Sequence, residues 1–325
     1  MPLESIARLE LGHFPTPLVP MPRLQAEVGS KQPLWIKHDD YSGPGFGGNK
    51  VRKLEYELAA ARAAGATDVL TTGGLRSNHC RATAALAAQL GLRCHLVLNG
   101  TEPGVGAAEP ASHWLDKMYG AQLHYVARGS DRAPALAALA EELRGQGWQP
   151  YVIPLGASSP LGACGFVRAV FEIKEQCEAH GFRPAAIVHS TSSAGTQAGL
   201  AAGLKLAGMD EVKLVGVSAD DSESTITVEI CRIVEGMEPL MRLAKGELAS
   251  LVHVDDRFTG AGYGIPSAEG TAAAELLARY EGVVLDPVYT AKAMAGMLAM
   301  LPGLPQGEVL FWHTGGQLAL FSRSI

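Results

Sequence analysis

The amino-acid sequence predicts an α/β protein made of two doubly wound units, each built on a mostly parallel sheet. Two observations lead to this prediction. Short β-prone runs alternate with longer helical segments through most of the 325 residues, the rhythm of helices that pack on both faces of parallel sheets. The composition is 47% hydrophobic and 18% charged, which is enough apolar material for the large cores of such a fold.

The predicted strands are short runs rich in β-branched and other apolar residues. In chain order they are Leu34–Lys37, Val69–Thr72, Cys94–Leu98, Gln122–Val126, Tyr151–Ile153, Ala186–His189, Leu214–Ser218 and Val309–Trp312.

The predicted helices are longer segments rich in helix-forming residues, and two of them stop where a glycine follows. Gly65 and Gly91 stand just after the first and second helix, where glycine commonly ends a helix. In chain order the predicted helices are Lys50–Ala64, Ser77–Leu90, His113–Tyr119, Pro134–Gln146, Leu161–His180, Thr196–Ala207, Ser267–Tyr280 and Thr290–Met300.

The order of these elements predicts two domains with the active site between them. The smaller α/β domain covers residues 50–155, and the larger one joins residues 1–49 to residues 156–325.

Charge and cysteine content exclude several function classes. The net charge is −6 and there is no basic block, which argues against a nucleic-acid partner. The five cysteines are scattered without CxxC spacing, so we expect a reducing cytoplasm and no metal site. The first residues contain no apolar h-region, so no signal peptide is expected, and the apolar runs are too short to span a bilayer.

The most informative segment is GPGFGGNKVRKLE, residues Gly43–Glu55, in which a glycine cluster leads into a helix with Lys50 on its first turn. Glycines let the backbone approach a ligand closely in conformations that a β-carbon forbids. A lysine held in a partly dry pocket loses basicity and can bond covalently to a carbonyl compound. A single lysine is more often a solvated surface residue, so the hypothesis that Lys50 has a chemical role depends on the other motifs.

A second motif, Gly73–His79, follows a predicted strand and opens a helix. Ser77 is a good N-cap, and the exposed N–H groups of the first turn can bind a carboxylate. A capped helix without any ligand is the alternative, but it does not explain Asn78 and His79 beside two glycines.

A third motif, Ser190–Gln197, lies between a predicted strand and a helix and is rich in small and hydroxyl residues. Such a loop forms a cradle at the positive end of the helix and favours a phosphate. No lysine follows its last glycine as in a Walker loop, and it does not match GxGxxG, so a dinucleotide is not expected. A serine-rich turn is the alternative.

Three further segments complete the candidate site: Gly260–Pro266 with Tyr263, Asp286–Lys292 with Tyr289, and Trp312–Gly316 after the last strand. Ligands of open α/β sheets bind at the carboxyl ends of the strands, where the last segment lies. Together the motifs require a phosphorylated carbonyl cofactor, a lysine that binds it and an anion site for a carboxylate substrate. Pyridoxal phosphate meets this description.

The chain resembles the D-cysteine desulfhydrase and 1-aminocyclopropane-1-carboxylate deaminase family over about residues 15–321. Six motifs occur in the family's order, namely GGNKVRKLE, SNH, SSAGTQAGL, GYGIP, LDPVYTAKAMAG and HTGG. The resemblance implies a pyridoxal-phosphate enzyme of fold type II, the tryptophan-synthase-β-like fold, in which the larger domain binds the cofactor. It also implies a homodimer that acts on a small amino acid.

The resemblance assigns roles to individual residues. Lys50 is expected to hold the cofactor covalently, and Ser77 with the first-turn N–H groups to hold the substrate carboxylate. The implied cofactor-binding residues are Lys50, Asn78, Ser192, Ser193, Ala194, Gly195, Thr196, Tyr289, Thr290 and Thr314. The implied substrate-binding residues are Ser77, Asn78, His79 and Tyr263, and the implied catalytic residues are Lys50, Ser77, Tyr263 and Tyr289.

The implied reaction is an α,β-elimination that converts D-cysteine to pyruvate, ammonia and sulfide. Deaminases of the family carry a glutamate and a leucine at the positions of Thr290 and Thr314, so these threonines favour a desulfhydrase over a deaminase. A neutral hydroxyl does not keep the ring nitrogen protonated as a carboxylate does. L-cysteate sulfo-lyase, deaminase, racemase and inactive cofactor-binding protein remain alternatives. His38 and Ser192 depart from the arginine and glycine usual in the family, which bears on substrate choice.

Overall fold

A computed structural model describes residues 2–104 and 107–324. Its strands, in chain order, are β1 (Leu18–Pro20), β2 (Leu34–His38), β3 (Asp68–Gly74), β4 (Arg93–Asn99), β5 (Ala108–Pro110), β6 (Gln122–Val126), β7 (Pro150–Val152), β8 (Pro184–Thr191), β9 (Lys213–Ser218), β10 (Val254–Asp255), β11 (Glu308–His313) and β12 (Ser322–Ser324).

The α-helices lie between these strands, mostly one after each. They are α1 (Pro22–Glu27), α2 (Lys50–Ala63), α3 (Asn78–Leu90), α4 (Ala111–Met118), α5 (Ala133–Gly145), α6 (Pro160–Ala179), α7 (Gly195–Leu206), α8 (Glu223–Met241), α9 (Ala268–Glu281) and α10 (Thr290–Met300).

The larger sheet has six strands in the order β1-β2-β11-β8-β9-β10. All neighbours in it are parallel except the edge strand β1, which runs antiparallel to β2. The smaller sheet has four parallel strands in the order β6-β4-β3-β7, and β5 pairs with β12 in a separate antiparallel ribbon. The α/β class with mostly parallel sheets is therefore as the sequence predicts.

Helices cover both faces of the larger sheet, because two apolar clusters lie on opposite sides of it. One contains Phe166 and Trp312 with α6, α7 and α8, and the other contains Phe311 and Met294 with α9 and α10. The consecutive residues Phe311 and Trp312 of β11 point to opposite faces, as the period of a strand requires. A third cluster joins α2 and α3 to the smaller sheet.

The division into domains 50–155 and 1–49 plus 156–325 stays a prediction. The smaller sheet draws its strands from residues 68–152, and the larger one from residues 18–38 and 184–313.

One long helix, α8, is missing from the sequence prediction. Ser222 caps it by accepting a hydrogen bond from the backbone N–H of Thr225 at 3.3 Å. Ile226, Ile230 and Ile233 are buried on one face at helical spacing, so an apolar signal was present. Pro239, inside the helix near its end, lowers the local helix propensity, and packing against α6 and α7 overrides it.

A buried ion-pair network holds α2 in place. Arg52 of α2 donates to both Asp39 oxygens at 2.8 Å and to both Glu172 oxygens at 2.9 Å. Lys37 also donates to Glu172. Two cations therefore face two carboxylates away from water, so the network is neutral as a whole. It fixes the direction of the helix that begins at Lys50.

The network predicts acid sensitivity. Burial would raise the pKa of Glu172, but the charges of Arg52 and Lys37 outweigh burial and lower it to about 2. A lowered pKa in the folded state gives stability that is complete above about pH 5 and is lost as the pH falls towards 2, roughly 3 kcal/mol in all.

Urea unfolding at a series of pH values measures this. We expect Glu172→Gln to be less stable than the unsubstituted protein at pH 6 and to lose less stability on acidification. If Glu172→Gln and the unsubstituted protein lose equal stability between pH 6 and pH 3, Glu172 is not the source of the acid sensitivity.

Among the residues that the structure describes, no helix combines the length and the apolar character that a membrane span needs.

Candidate active site

A cavity of about 770 Å³ opens at the carboxyl ends of parallel strands from both sheets. Gly74 ends β3 and Thr191 ends β8, while Asp220 and Thr314 follow β9 and β11. This is the edge at which α/β sheets bind ligands, because the strand-to-helix loops converge there.

Lys50 lines this cavity as the first residue of α2. Its side-chain Nζ lies 3.3 Å from Ser193 Oγ, and the residue is only 8% exposed. Burial lowers its pKa from 10.5 to about 8. At this pKa about a tenth of the amine is neutral at pH 7, against less than about a thousandth of a solvated lysine, and the neutral form acts as a nucleophile and a base.

The turn before Lys50 has a backbone conformation that requires glycine. Gly43, Gly45, Gly47 and Gly48 all have positive φ. A β-carbon on Gly47 would lie 2.3 Å from the carbonyl oxygen of Asp40, and one on Gly48 would lie 3.2 Å from that of Thr314. The turn therefore runs against two backbone segments, which brings Lys50 to the strand ends.

Gly47→Ala is expected to destabilise the protein by about 2 kcal/mol more than a matched glycine substitution, because the clash adds to the cost of positive φ. Gly65→Ala is the control, since Gly65 has φ +69° with no atom within 4 Å of the added carbon. Thermal unfolding of both variants measures the difference. Equal losses of stability in the two variants would show that the turn can shift to accommodate the added methyl group without further cost.

The loop from Ser192 to Thr196 lies beside Lys50. Ala194 has φ +67°, an uncommon conformation for a residue with a side chain, and α7 begins at Gly195. The hydroxyls of Ser193 and Thr196 and the positive end of a twelve-residue helix meet here. Thr196 Oγ1 accepts a hydrogen bond from Asn49 Nδ2 at 3.0 Å, which ties the loop to the start of α2.

A second buried lysine stands behind this loop. Lys53 Nζ donates to Ser158 Oγ at 3.0 Å and to the Gly156 carbonyl at 3.3 Å, and Ser158 Oγ in turn donates to Ser193 Oγ at 2.8 Å. Burial, and then the charge of Lys50, lowers the pKa of Lys53 well below its ordinary value. Within residues 2–104 and 107–324, no carboxylate is bonded to either of these two amines, which stand one helical turn apart. A bound anion would favour the charged form of both, so the pair suits an anionic group.

The start of α3 forms another wall. Ser77 Oγ accepts from the Cys80 N–H at 3.2 Å, so the hydroxyl proton of Ser77 remains free to donate. The N–H groups of Asn78 and His79 lie in the first turn, where the helix offers them no acceptor. The His79 ring contacts Thr71 Oγ1 at 2.7 Å, and burial lowers its pKa well below the usual value, which leaves it neutral.

Two tyrosines also line the cavity. Their hydroxyl oxygens, of Tyr263 and Tyr289, are 2.5 Å apart, and their rings meet edge to face. Removal of the hydroxyls from water raises the pKa of both, so both are protonated at neutral pH. The Tyr263 ring is 47% exposed at the rim, whereas its hydroxyl points inward.

Most of the residues that the sequence predicts for the site line this cavity. They are Lys50, Ser77, Asn78, His79, Ser192, Ser193, Ala194, Thr196, Tyr263, Tyr289 and Thr314. Gly195 and Thr290 are not among the lining residues. The Gly195 N–H is bonded to the Ser193 carbonyl, and Thr290 Oγ1 donates to Asp286, four residues before it, at 2.7 Å.

Comparison with known proteins agrees with this geometry. Residues 9–315 match the family model described as "Pyridoxal-phosphate dependent enzyme". The chain belongs to this family. Pyridoxal phosphate is accordingly its cofactor, and the family, fold and cofactor that the sequence predicts are confirmed.

Individual relatives match the chain over nearly its whole length. The D-cysteine desulfhydrase of Klebsiella pneumoniae (strain 342) is 39% identical over 330 residues, which cover 98% of this chain and 97% of the relative. That of Salmonella newport (strain SL254) is 39% identical over 336 residues, with 99% and 98% covered. The crystal structure of an "ACC deaminase homologue" superposes with a TM-score of 0.89 at 34% identity and covers 98% of this chain and 95% of its own.

The residues present fit the cofactor. On the cavity wall, Ser190 Oγ, Thr191 Oγ1 and Asn49 Oδ1 are buried without a hydrogen-bond partner among the described residues. Buried polar atoms are normally bonded, so unpartnered hydroxyls beside a helix N-terminus suit a phosphate. The amine of Lys50 faces the same space.

Four residues near the cofactor space escaped the sequence prediction: Asn49, Lys53, Ser158 and Asp220. Lys53 carried a signal, because it stands three residues after Lys50 on the same helix face. Ser158 and Asp220 carried none, since they reach the loop only through the fold. Asp220 Oδ2 accepts from Ser192 Oγ at 3.3 Å.

The two departures from the family pattern have different surroundings. His38 lies outside the cavity lining and is buried, with Nδ1 2.9 Å from Asp40 Oδ1 and its ring stacked on Tyr41. Ser192 lines the cavity, where its hydroxyl engages Asp220. Of the two, only Ser192 can touch a ligand.

Proposed function

We propose that this chain is a D-cysteine desulfhydrase, which converts D-cysteine and water to pyruvate, ammonia and hydrogen sulfide. One observation carries the proposal. Curated D-cysteine desulfhydrases are about 39% identical over nearly the full length, and the motifs that line the cavity occur in the order that the family resemblance implies.

The cofactor would be held at four points. Lys50 would bind it covalently, the loop Ser192–Thr196 with Lys53 would hold its phosphate, and Tyr289 would flank its ring. When bound, pyridoxal phosphate supplies an electron sink that stabilises negative charge on the α-carbon of the amino acid. Asn78 would bond the ring hydroxyl.

The protein groups would position the amino acid and move its protons. The Ser77 hydroxyl and the N–H groups of Asn78 and His79 would bind the carboxylate. Lys50, with a pKa of about 8, would take the proton from the α-carbon. The hydrosulfide then leaves from the β-carbon, and water completes the conversion to pyruvate and ammonia.

Tyr263 would cover the substrate. Burial of its hydroxyl raises its pKa, so it stays protonated and donates a hydrogen bond rather than carrying a charge. Its position at the rim allows it to exclude water once an amino acid is bound.

A sulfo-lyase acting on L-cysteate is the second candidate, and one observation favours it. Arg76, Arg128 and Arg132 line the mouth of the cavity, and Arg128 and Arg132 have no ion pair among residues 2–104 and 107–324. Free guanidinium groups suit a substrate with a second anionic group, such as a sulfonate.

A product assay separates the candidates. The substrates are D-cysteine, L-cysteine, L-cysteate, β-chloro-D-alanine and 1-aminocyclopropane-1-carboxylate, with pyruvate, sulfide, sulfite and 2-oxobutyrate measured. We expect equal amounts of pyruvate and sulfide from D-cysteine, at kcat/KM at least about 10-fold above the next natural substrate. Faster sulfite release from L-cysteate supports the second candidate. A rate of 2-oxobutyrate formation equal to the D-cysteine rate would overturn the proposal, as would inactivity on the whole panel.

A cytoplasmic homodimer is part of the same proposal. All five cysteines are free, as a reducing compartment allows, and the family resemblance implies a dimer. Light scattering of the purified protein at several concentrations tests the dimer, and a constant monomer mass would exclude it.

A further inference from the structure

Lys292 is a buried lysine to which no motif assigned a role. It is the third residue of α10 and is fully buried. A cation in the first turn of a helix is disfavoured by the helix dipole, and burial of an ammonium costs more still. Such a residue needs compensating contacts, and these contacts show what it holds together.

The Lys292 ammonium is bound by three backbone carbonyls. Nζ donates to Ala219 O at 2.8 Å, Thr259 O at 2.7 Å and Gly262 O at 2.9 Å. All three of its protons are used, and none goes to a carboxylate. The nearby charges of Asp220 and Asp286 favour the ammonium form, while burial lowers its pKa.

Each of the three carbonyls belongs to a segment that reaches the cavity. Ala219 precedes Asp220, which bonds Ser192 of the phosphate loop. Thr259 and Gly262 belong to the loop that carries Tyr263 across the mouth. Lys292 itself stands three residues after Tyr289.

The Tyr263 loop has little else to hold it. Gly260, Gly262 and Gly264 have positive φ and bring no side chains to pack. Its own backbone bonds, from Thr259, Gly262 and Ile265 N–H groups, are all 3.4 Å long. The bonds from Lys292 are 0.5 Å or more shorter, at 2.7 and 2.9 Å, and they are also shorter than the 3.1 Å bond from Thr259 Oγ1 to the Asp256 carbonyl. Together with the packing of Phe258 on the core and the contact between the two tyrosine hydroxyls, they attach the loop to the rest of the protein.

We propose that Lys292 is a positioning residue: its ammonium acts as a fixed cation that clamps the Tyr263 loop and the Ala219–Asp221 segment against the start of α10. The clamp keeps the Tyr263 hydroxyl within reach of Tyr289. Backbone carbonyls are also the ligands that proteins offer to potassium ions. Removal of the whole side chain should therefore leave a space that a small monovalent cation can occupy.

Three variants test this. Lys292→Ala removes both charge and side chain, and Lys292→Met removes the charge but keeps the space filled. Lys174→Met is the control, because Lys174 also donates to a backbone carbonyl, that of Ala207 at 3.1 Å, but lies outside the cavity lining.

The first measurement is hydrogen exchange of the purified proteins. We expect exchange in residues 257–266 to be at least about 10-fold faster in both Lys292 variants and unchanged in Lys174→Met. This readout does not depend on turnover.

The second measurement is kinetic and rests on the proposed function. We expect kcat/KM for D-cysteine to fall at least about 30-fold in both Lys292 variants. Potassium or ammonium chloride at about 0.1 M should restore most of the activity to Lys292→Ala, but not to Lys292→Met, and tetramethylammonium at the same ionic strength should restore none.

Unchanged loop exchange in the Lys292 variants would overturn the proposal, as would equal rescue by tetramethylammonium. If circular dichroism shows both Lys292 variants unfolded, Lys292 is needed for the fold as a whole, and the proposal that it specifically positions the Tyr263 loop is wrong. If the unsubstituted protein does not act on D-cysteine, the exchange result still decides for or against the clamp, so the two failures are distinguishable.

Discussion

Replacement of Lys50 by alanine is expected to lower turnover by at least about 10³-fold and to remove the visible absorption of the lysine-bound cofactor. The reason is geometric. Lys50 Nζ faces the cavity beside Ser193, and its pKa of about 8 gives it a neutral fraction of about a tenth at pH 7, far above that of a solvated lysine. Lys53 cannot take its place, because its amine is bonded behind the loop to Ser158.

Absorption spectra and pyruvate release, measured on the same preparations, check this. Lys174→Ala is the matched control, since it removes a half-buried lysine from α6 outside the cavity and should keep both signals. A Lys50→Ala protein that stays yellow and turns over at the unsubstituted rate would refute the assignment.

Arg52→Met is expected to destabilise the fold by about 3–5 kcal/mol. The guanidinium is 2% exposed and binds Asp39 and Glu172 with two hydrogen bonds each. Its removal leaves two buried carboxylates with Lys37 as the one cation of the network. The cost lies mainly in these unpaired charges, because a buried pair contributes little net stability while it is intact.

Urea unfolding at pH 7 measures the loss, with Arg232→Met as the control. Arg232 pairs with Glu229 on the surface of α8, where both side chains are more than half exposed. Exposed pairs of this kind contribute less than about 1 kcal/mol. Equal losses in the two variants would mean that the buried network is not what fixes α2.

The sequence predicted most of the fold because its elements are marked locally. Glycines follow helices, and β-prone runs stand between them, so the alternation was visible without knowledge of the packing. The elements that were missed depend on tertiary contacts. The strand β10 has two residues and exists only because it pairs with β9. The helix α8 carries Pro239 and is held by α6 and α7.

The same contrast applies to the site. Lys50, Ser77 and the loop Ser192–Thr196 were predictable because each lies in a contiguous motif at a strand end. Lys53 could have been predicted from its spacing to Lys50 on the same helix, whereas Ser158 and Lys292 could not. Ser158 bonds Ser193 of the loop Ser192–Thr196 from 35 residues away in the sequence. The partners of Lys292 are backbone carbonyls, which no side-chain pattern reveals.

Thr290 is a predicted cofactor residue that does not line the cavity. Its position after Tyr289 suggested a place beside the cofactor ring. In the structure its hydroxyl donates to Asp286 and accepts from the Asp286 N–H at 2.9 Å. Both functions of the hydroxyl are thus used to hold Asp286, whose carboxylate accepts from the N–H groups of Val288, Tyr289 and Thr290. Tyr289 lines the cavity at this point and Thr290 does not.

The most direct test is chemical trapping of the lysine that holds the cofactor. The purified protein, loaded with pyridoxal phosphate, is treated with borohydride to make the covalent bond permanent, digested, and sequenced by mass spectrometry. The modified residue should be Lys50. Modification of Lys53 or of a surface lysine, with Lys50 unmodified, would contradict the site described above.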